Sequence, residues 1–249
     1  MLSFVGLGLY DERSITVRGR DALATADTAF VEWYTSRLAG TALETLESTH
    51  DIEIEVRDRA GVEQDPEPIL EAAEDGHAAF LTAGDTMIST THVDLRLRAH
   101  DSGIETQVIH GTTAQTAASS LTGLQNYRFG KATTLPFEET HGGVPASVVE
   151  TIQANRDRGL HTIVYLDIDG ENDRFLTGDA AAGQLATELD TTGVVIGQAG
   201  SDDPTVQAGP LTELADGSFG DPLHLLVIPG ELHPIEKDAL SELAGLEDE

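Results

Sequence analysis

Glycine-rich loops that follow apolar runs are the features of this sequence best suited to hold a ligand. The first loop, FVGLGLYDE (4–12), precedes a helical pattern, which is the context of a dinucleotide-binding fingerprint. The third glycine of that fingerprint would fall at Asp11, so the pattern is broken. The phosphate-binding pattern GxxxxGK followed by Ser or Thr is absent, and so is the serine-hydrolase pattern GxSxG. These two chemistries are therefore not predicted.

Metal and thiol chemistry are also poorly supported. The nearest histidine cluster is formed by His224, His233 and Glu236, and its spacing does not match HExxH. The chain has no cysteine, which excludes disulfides, thiolate metal sites and cysteine nucleophiles. We therefore expect no bound metal.

The charge of the chain is strongly acidic, with 44 acidic and 14 basic residues and a formal net charge of -30. The acids are spread between apolar runs, which favours a folded protein with an acidic surface over a disordered chain. Lys131 and Lys237 are the only lysines. This balance predicts a halophilic source, where salt screens the repulsion. It also argues against nucleic acid as a partner.

Targeting and membrane signals are not found in the sequence. The start has no basic leader region, and no apolar run approaches the roughly 20 residues that a membrane helix needs. We therefore expect a soluble, cytoplasmic protein that binds no membrane.

Short apolar runs alternate with helical patterns through the first 111 residues. Strands are predicted at 2–9, 28–33, 52–56, 77–85 and 105–111. Helices are predicted at 14–26, at 39–48, after Asp65 and at 92–100, with Ser14 as the N-cap of the first. Such alternation predicts βαβ units and a mostly parallel sheet with helices on both faces.

The second half carries a different pattern, in which strands also follow one another directly. Helices are predicted at 114–122, 145–158, 179–189 and from about 234, and strands at 161–168, 193–200, TVQAGPL (205–211) and HLLVIPG (224–230). The sequence predicts an α/β protein with two α/β domains, 1–111 and 112–249. The first sheet is expected to be mostly parallel and the second mixed, with a ligand in the cleft between the domains.

Five ordered segments resemble the diphthine synthase family, a branch of the tetrapyrrole-methylase-like methyltransferases. The segments are FVGLGLYDERSIT, GDTMISTTHVDLRLRA, GLQNYRFGKATT, RGLHTIVYLDI and FGDPLHLLVIPGELH. The resemblance implies a homodimer of two-domain α/β chains that binds S-adenosylmethionine and releases S-adenosylhomocysteine. It also implies trimethylation of an amino group on translation elongation factor 2. That amine belongs to a histidine carrying a 3-amino-3-carboxypropyl group, and the product is diphthine, in diphthamide biosynthesis.

The resemblance further implies which residues contact the cofactor, several of them through the backbone. They are Leu9, Asp85, Ile88, Thr113, Ala114, Leu166, Ala199 and His224. Methyl transfer from a sulfonium to an amine is an in-line displacement, which needs positioning and exclusion of water but no enzyme nucleophile. No catalytic residue is therefore named.

Several of these residues have structural alternatives. Asp85 could cap the turn after its strand, and Thr90 with Thr91 could form a helix N-cap pair. A buried histidine packed in the core is an alternative role for His92 and for His224. The aromatic residues that could meet a protein substrate are expected to pack in the core instead; they are Trp33, Tyr127 and Phe129.

Two other functions remain open at this stage. Methylation of a porphyrin-like ring would need a cleft for a large polyanion, for which this chain offers few basic residues. A non-catalytic protein that kept the cofactor pocket would bind the cofactor without transferring its methyl group to any acceptor.

Overall fold

The computed structural model describes residues 1–170 and 172–247, which divide into two compact units. Unit one comprises residues 1–113 with Gly170 and Asn172, and unit two comprises residues 114–169 and 173 onward. Each unit contains its own five-stranded sheet. The predicted fold class is confirmed: the first sheet is parallel and the second is mixed.

Unit one is a parallel sheet whose strands alternate with helices. Its strands are β1 (Leu2–Gly6), β2 (Thr28–Glu32), β3 (Ile54–Arg57), β4 (Ala78–Thr82) and β5 (Thr106–Ile109), in the order β3-β2-β4-β1-β5. Its helices are α1 (Val17–Leu23), α2 (Leu43–His50), α3 (Arg59–Glu63), α4 (Glu67–Asp75) and α5 (Val93–Asp101). Strands β1 and β4 are buried along their whole length, as is usual for central strands covered on both faces.

The two faces of this sheet carry separate apolar cores. Val5 and Leu81 belong to one cluster of buried side chains, and Phe4 and Phe80 belong to the other. Neighbouring residues of a strand point to opposite faces, so the continuous apolar runs of the sequence supply both cores at once.

Helix α1 begins later than the sequence predicts. Its N-cap is Thr16, whose side chain accepts a hydrogen bond from the Gly19 N–H at 3.1 Å, so the prediction of Ser14 as N-cap is wrong. The Ser14 hydroxyl instead accepts from the Asp11 N–H at 3.2 Å and donates to the Asp11 carboxylate at 3.1 Å. Ser14 therefore closes the loop before the helix.

Unit two combines antiparallel and parallel pairing. Its strands are β6 (Thr133–Leu135), β7 (Thr162–Leu166), β8 (Ile168–Asp169), β9 (Arg174–Phe175), β10 (Thr192–Gly197), β11 (Thr205–Pro210) and β12 (His224–Ile228). Its helices are α6 (Ala114–Thr122), α7 (Glu138–His141), α8 (Ala146–Arg156), α9 (Gly178–Ala186), α10 (Leu211–Leu214) and α11 (Pro234–Ala244), with a 3-10 turn at Asn126–Arg128. The main sheet has the order β11-β10-β12-β7-β6, in which only β6–β7 is parallel, and β8 pairs with β9 separately. Within the described residues, every helix is too short or too polar to span a bilayer.

A buried carboxylate, that of Glu236 on α11, organises the polar interior of unit two. Its oxygens accept hydrogen bonds from the N–H groups of Gln125 (3.0 Å) and His233 (2.8 Å). They also bind Arg128 Nη1 at 3.0 Å and His161 Nε2 at 3.1 Å. Because His161 Nδ1 accepts from a backbone N–H at 3.0 Å, its proton lies on Nε2, where it can be donated to Glu236.

Candidate active site

The carboxyl ends of β1, β4 and β5 in unit one meet through glycines. A Cβ atom on Gly6 would lie 2.6 Å from both the Gly84 carbonyl oxygen and the Gly111 nitrogen, and a Cβ on Gly111 would also meet the Gly84 oxygen. Gly8 and Gly84, both at positive φ, form an isolated bridge in which the Gly8 N–H donates to the Gly84 carbonyl at 3.2 Å. Only residues without a side chain allow the backbones to approach this closely. We define Gly6, Gly8, Gly84 and Gly111 as the glycine edge.

Asp85 ties together two loops of the glycine edge. Its Oδ1 accepts a hydrogen bond from the Met87 N–H at 3.0 Å, which closes a turn after β4. Its Oδ2 accepts from the Gly111 N–H at 3.2 Å and from His110 Nδ1 at 2.7 Å, both just after β5. The Asp85 side chain is 4% exposed, whereas that of His110 is 78% exposed. The alternative role of Asp85 as a turn cap is therefore present in the structure.

Polar side chains behind the same edge form a buried cluster that the sequence did not indicate. Glu32, the last residue of β2, is 0% exposed, and His92, just before α5, is 1% exposed. His92 Nε2 lies 3.6 Å from Glu32 Oε1. Sixty positions separate the two residues, so no spacing in the sequence could have paired them.

In unit two, three residues that the sequence analysis singled out, Leu166, Ala199 and His224, lie at or just beyond one end of the neighbouring strands β7, β10 and β12. Gly197, two residues before Ala199, pairs with His224, and Tyr165, just before Leu166, pairs with Leu225. His224 Nδ1 accepts a hydrogen bond from the Gly178 N–H, the first of α9, at 2.9 Å. Burial lowers the pKa of His224, and the nearby charge of Asp179 acts in the opposite direction. His224 is thus a neutral, buried histidine in the core.

Comparison with known proteins identifies the family. The family model of tetrapyrrole (corrin/porphyrin) methylases matches residues 1–215. The chain is 66% identical to a diphthine synthase of Natronomonas pharaonis, with 98% of this chain and 96% of that protein covered. The same identity is found with a diphthine synthase of Haloarcula marismortui, with 98% of each chain covered.

A solved structure agrees with these relatives. A crystal structure of diphthine synthase superposes with a TM-score of 0.91 at 34% identity, covering 99% of this chain and 96% of that one. The chain belongs to the diphthine synthase family. It is a methyltransferase of diphthamide biosynthesis, and the relatives at 62–66% identity come from halophilic archaea, which fits the acidic composition.

The residues that the diphthine synthase resemblance assigned to the cofactor fall into two groups of four. In unit one, Leu9, Asp85, Ile88 and Thr113 all lie in the loops of the glycine edge. A Cβ on Gly84 would meet only the Thr113 Cα, at 3.9 Å, and the Ile88 N–H donates to the Asp85 carbonyl at 3.3 Å. In unit two, Ala114 and Ala199 pack against one apolar cluster, and Leu166 and His224 lie on neighbouring strands.

Some structural predictions around the site are wrong. Helix α5 has His92 as its N-cap residue, without a side-chain cap, so Thr90 and Thr91 are not an N-cap pair. Their hydroxyls donate instead to the Thr86 carbonyl at 2.8 Å and to Glu63 at 2.9 Å, respectively. Polar side chains near a helix start can find partners other than the helix amides, and tertiary contacts decide between them.

The aromatic and histidine predictions have mixed outcomes. Trp33 and Phe129 are partly buried against apolar clusters, as predicted, but Tyr127 is 76% exposed, so its core assignment is wrong. His233 caps α11 by accepting from the Ile235 N–H at 3.3 Å, and the Glu236 carboxylate accepts from the His233 N–H, which completes a capping box. Among the described residues, no group of three or more His, Cys, Asp or Glu side chains could hold a metal.

The contacts of Asp85 predict the effect of removing its side chain. Asp85→Ala leaves the Gly111 N–H and the Met87 N–H without their acceptor, and we expect a loss of about 1–3 kcal/mol in unfolding free energy. We also expect weaker binding of S-adenosylhomocysteine, measured by calorimetry in molar potassium chloride. Asp101→Ala, an exposed residue at the end of α5, is the matched control. Equal stability and affinity in the two variants would refute this role for Asp85.

Proposed function

We propose that this chain transfers methyl groups from S-adenosylmethionine to the amino group of the 3-amino-3-carboxypropyl histidine of translation elongation factor 2. The proposal includes trimethylation to diphthine, a homodimer and a cytoplasmic location. The observation that carries it is the 66% identity to diphthine synthases over nearly the whole chain.

The glycine edge suits S-adenosylmethionine, which supplies the methyl group when bound. Space lies open beside Gly84, and Ile88 is 42% exposed and offers apolar contact. Asp85 accepts hydrogen bonds from the Met87 N–H, the Gly111 N–H and His110 Nδ1, so its carboxylate holds the loops of the edge in place. We propose Leu9, Asp85, Ile88, Thr113, Ala114, Leu166, Ala199 and His224 as the residues that hold S-adenosylmethionine.

Methyl transfer depends on the positioning of donor and acceptor more than on reactive side chains. An in-line displacement requires the donor and acceptor atoms to be held at about 3–3.5 Å with water kept away. The acceptor amine must be neutral, and burial beside a sulfonium lowers the pKa of an amine because both desolvation and like charge disfavour its ammonium form. A rigid edge, closed by backbone contacts and by Asp85, performs the positioning role.

Transfer of labelled methyl groups to competing acceptors tests the proposal. The enzyme in molar potassium chloride would receive methyl-labelled S-adenosylmethionine together with modified elongation factor 2, unmodified elongation factor 2 or a uroporphyrinogen. We expect label in the modified factor alone. Label in the tetrapyrrole would assign the chain to ring methylation, and binding of the cofactor without label in any acceptor would indicate a non-catalytic protein.

A further inference from the structure

The buried cluster behind the glycine edge joins two loops of unit one. Thr82, Thr86 and the pair Glu32 and His92 are each 0–1% exposed. Glu32 ends β2, whereas Thr86 and His92 belong to the segment between β4 and α5. Contacts within the cluster therefore connect the loop after β2 to the loop that contains Asp85 and Ile88.

Glu32 holds the loop after β2. Its Oε2 accepts hydrogen bonds from the Tyr34 N–H at 3.1 Å and the Thr35 N–H at 3.0 Å. Its Oε1 accepts a hydrogen bond from the Thr35 hydroxyl. Oε1 also lies next to the His92 ring, 3.6 Å from its Nε2.

The orientation of His92 fixes where its proton lies. Nδ1 is 3.0 Å from the Thr86 carbonyl oxygen, which can only accept, so Nδ1 carries a hydrogen and donates it. In the neutral ring Nε2 is then a bare acceptor, and no described residue gives it a hydrogen bond. The His92 ring packs edge-to-face against the Phe80 ring, with ring centroids 5.0 Å apart, so its surroundings are also apolar.

Two acceptors cannot face each other in a buried site without cost. The negative charge of an ionised Glu32 would repel the lone pair of His92 Nε2, which lies 3.6 Å from Oε1. A proton on either atom, pointing to the other, makes the interaction attractive. We propose that Glu32 and His92 share a single proton at neutral pH and act as a positioning pair that fixes the Asp85–Ile88 loop through the Thr86 carbonyl. This inference rests on the proposed cofactor site only for its effect on ligand affinity.

The electrostatic surroundings agree with one shared proton. Burial raises the pKa of Glu32 from its ordinary 4.5, although the hydrogen bonds from Thr35 and Tyr34 and the charge of Arg59 oppose the rise. Burial lowers the pKa of His92 from 6.5 to about 4, with the Thr86 carbonyl and Glu63 opposing. Both shifts favour the neutral form of the group, so beyond the hydrogen on His92 Nδ1 the pair holds one titratable proton.

Other charged groups near the pair are already partnered or kept neutral. Arg59 lies 3.4 Å from Glu63 and stacks on the Tyr34 ring at 4.9 Å. Burial first, and then the charges of Glu63 and Asp58, raise the pKa of Tyr34, so its hydroxyl stays protonated. The proton between Glu32 and His92 is thus the titratable proton that distinguishes this cluster.

The shared proton predicts a specific pH dependence of stability. Well above pH 6.5 neither group of the unfolded chain holds a titratable proton, whereas the folded pair holds one, so folding becomes less favourable as pH rises. Glu32→Gln removes this difference, because its amide can donate to His92 Nε2 without a titrating proton. The ratio of unfolding constants, wild type over variant, should therefore rise about tenfold per pH unit above 6.5 until the pair releases its proton.

Denaturant unfolding of the full chain at constant molar potassium chloride, from pH 6 to 9, measures this ratio. Parallel pH profiles for wild type and Glu32→Gln would overturn the shared proton. If the variant does not fold, nitrogen NMR of His92 in the wild type decides: a proton on Nδ1 with a hydrogen-bonded Nε2 supports the pair, and a proton on Nε2 alone overturns it.

The affinity of Glu32 variants for S-adenosylhomocysteine distinguishes a role of Glu32 in positioning the loop from a role in stability alone. Glu32→Ala should weaken binding about tenfold, and Glu32→Gln should restore most of it, because the amide keeps the hydrogen bonds to the loop after β2. Equal affinity of Glu32→Ala and wild type would overturn the positioning role. Absence of binding by the folded wild type would instead refute the proposed cofactor site, while the pH profile would still test the proton.

Discussion

Replacing Glu236 with alanine is expected to lower the free energy of unfolding by about 3–5 kcal/mol, the largest stability effect that we predict. The variant leaves Arg128 without its carboxylate, and the N–H groups of Gln125 and His233 without their acceptor. These groups are buried or partly buried, and an unpaired buried polar group pays the full cost of desolvation. Denaturant unfolding at fixed molar salt measures the loss.

Glu242→Ala on the exposed face of the same helix is the matched control, expected to change stability by less than about 0.5 kcal/mol. Glu236→Gln should fall between the two, because the amide keeps the shape and one acceptor but loses the charge. A loss near that of the control for Glu236→Ala would show that the cluster does not stabilise unit two.

The pH dependence of the Glu236 contribution has a definite sign. Burial would raise the pKa of Glu236, but the N–H groups of Gln125 and His233, with His161, more than offset it and hold this pKa below 4.5. A depressed pKa in the folded state gives stability that is present above pH 4.5 and is lost as the pH falls below it. The difference between wild type and Glu236→Gln should therefore be constant above that pH and shrink below it.

Gly111→Ala is expected to give the largest loss of activity. A Cβ at this position meets the Gly84 carbonyl oxygen and the Gly6 backbone, so the strand ends must separate. Displacing positioning groups by about 1 Å can cost about a hundredfold in rate, and we expect a loss of that order in kcat/KM. Initial rates of methyl transfer to modified elongation factor 2 measure it.

Gly183→Ala in α9 is the matched control, since its Cβ would meet only the Ala215 Cβ, at an ordinary 3.6 Å. Alanine is the better helix former by about 0.5–1 kcal/mol, so this variant should be slightly more stable and fully active. An active Gly111→Ala protein would place the reacting groups away from the glycine edge.

Most helices and strands could be predicted from the sequence, because buried parallel strands appear in it as short apolar runs. Strands β1 and β4 are short, mostly apolar runs, and helix α11 begins at Pro234 and ends at Ala244, just before Gly245, as capping preferences favour. The strand order β3-β2-β4-β1-β5 could not be derived in this way, since periodicity does not say which strands pair.

The errors concern local loop contacts of capping side chains, and the omissions concern contacts between distant residues. Ser14 and Thr90 were good capping types on local grounds, but loop partners bind their hydroxyls instead. The Glu32–His92 pair, and the contacts of Glu236 with Gln125, Arg128 and His161, are made across the chain by tertiary packing. The candidate cofactor residues came from the family resemblance rather than from spacing, because glycines and small apolar residues look like ordinary loop and core positions.

The mass of the elongation-factor peptide that carries the modified histidine tests the central claim most directly. Purified enzyme, S-adenosylmethionine and the modified factor would be incubated in molar potassium chloride and sampled over time, with unmodified factor in parallel. We predict successive gains of single methyl groups, up to three, confined to that peptide of the modified factor. No gain in mass, from a folded enzyme that binds S-adenosylhomocysteine at that salt, would contradict the proposed function.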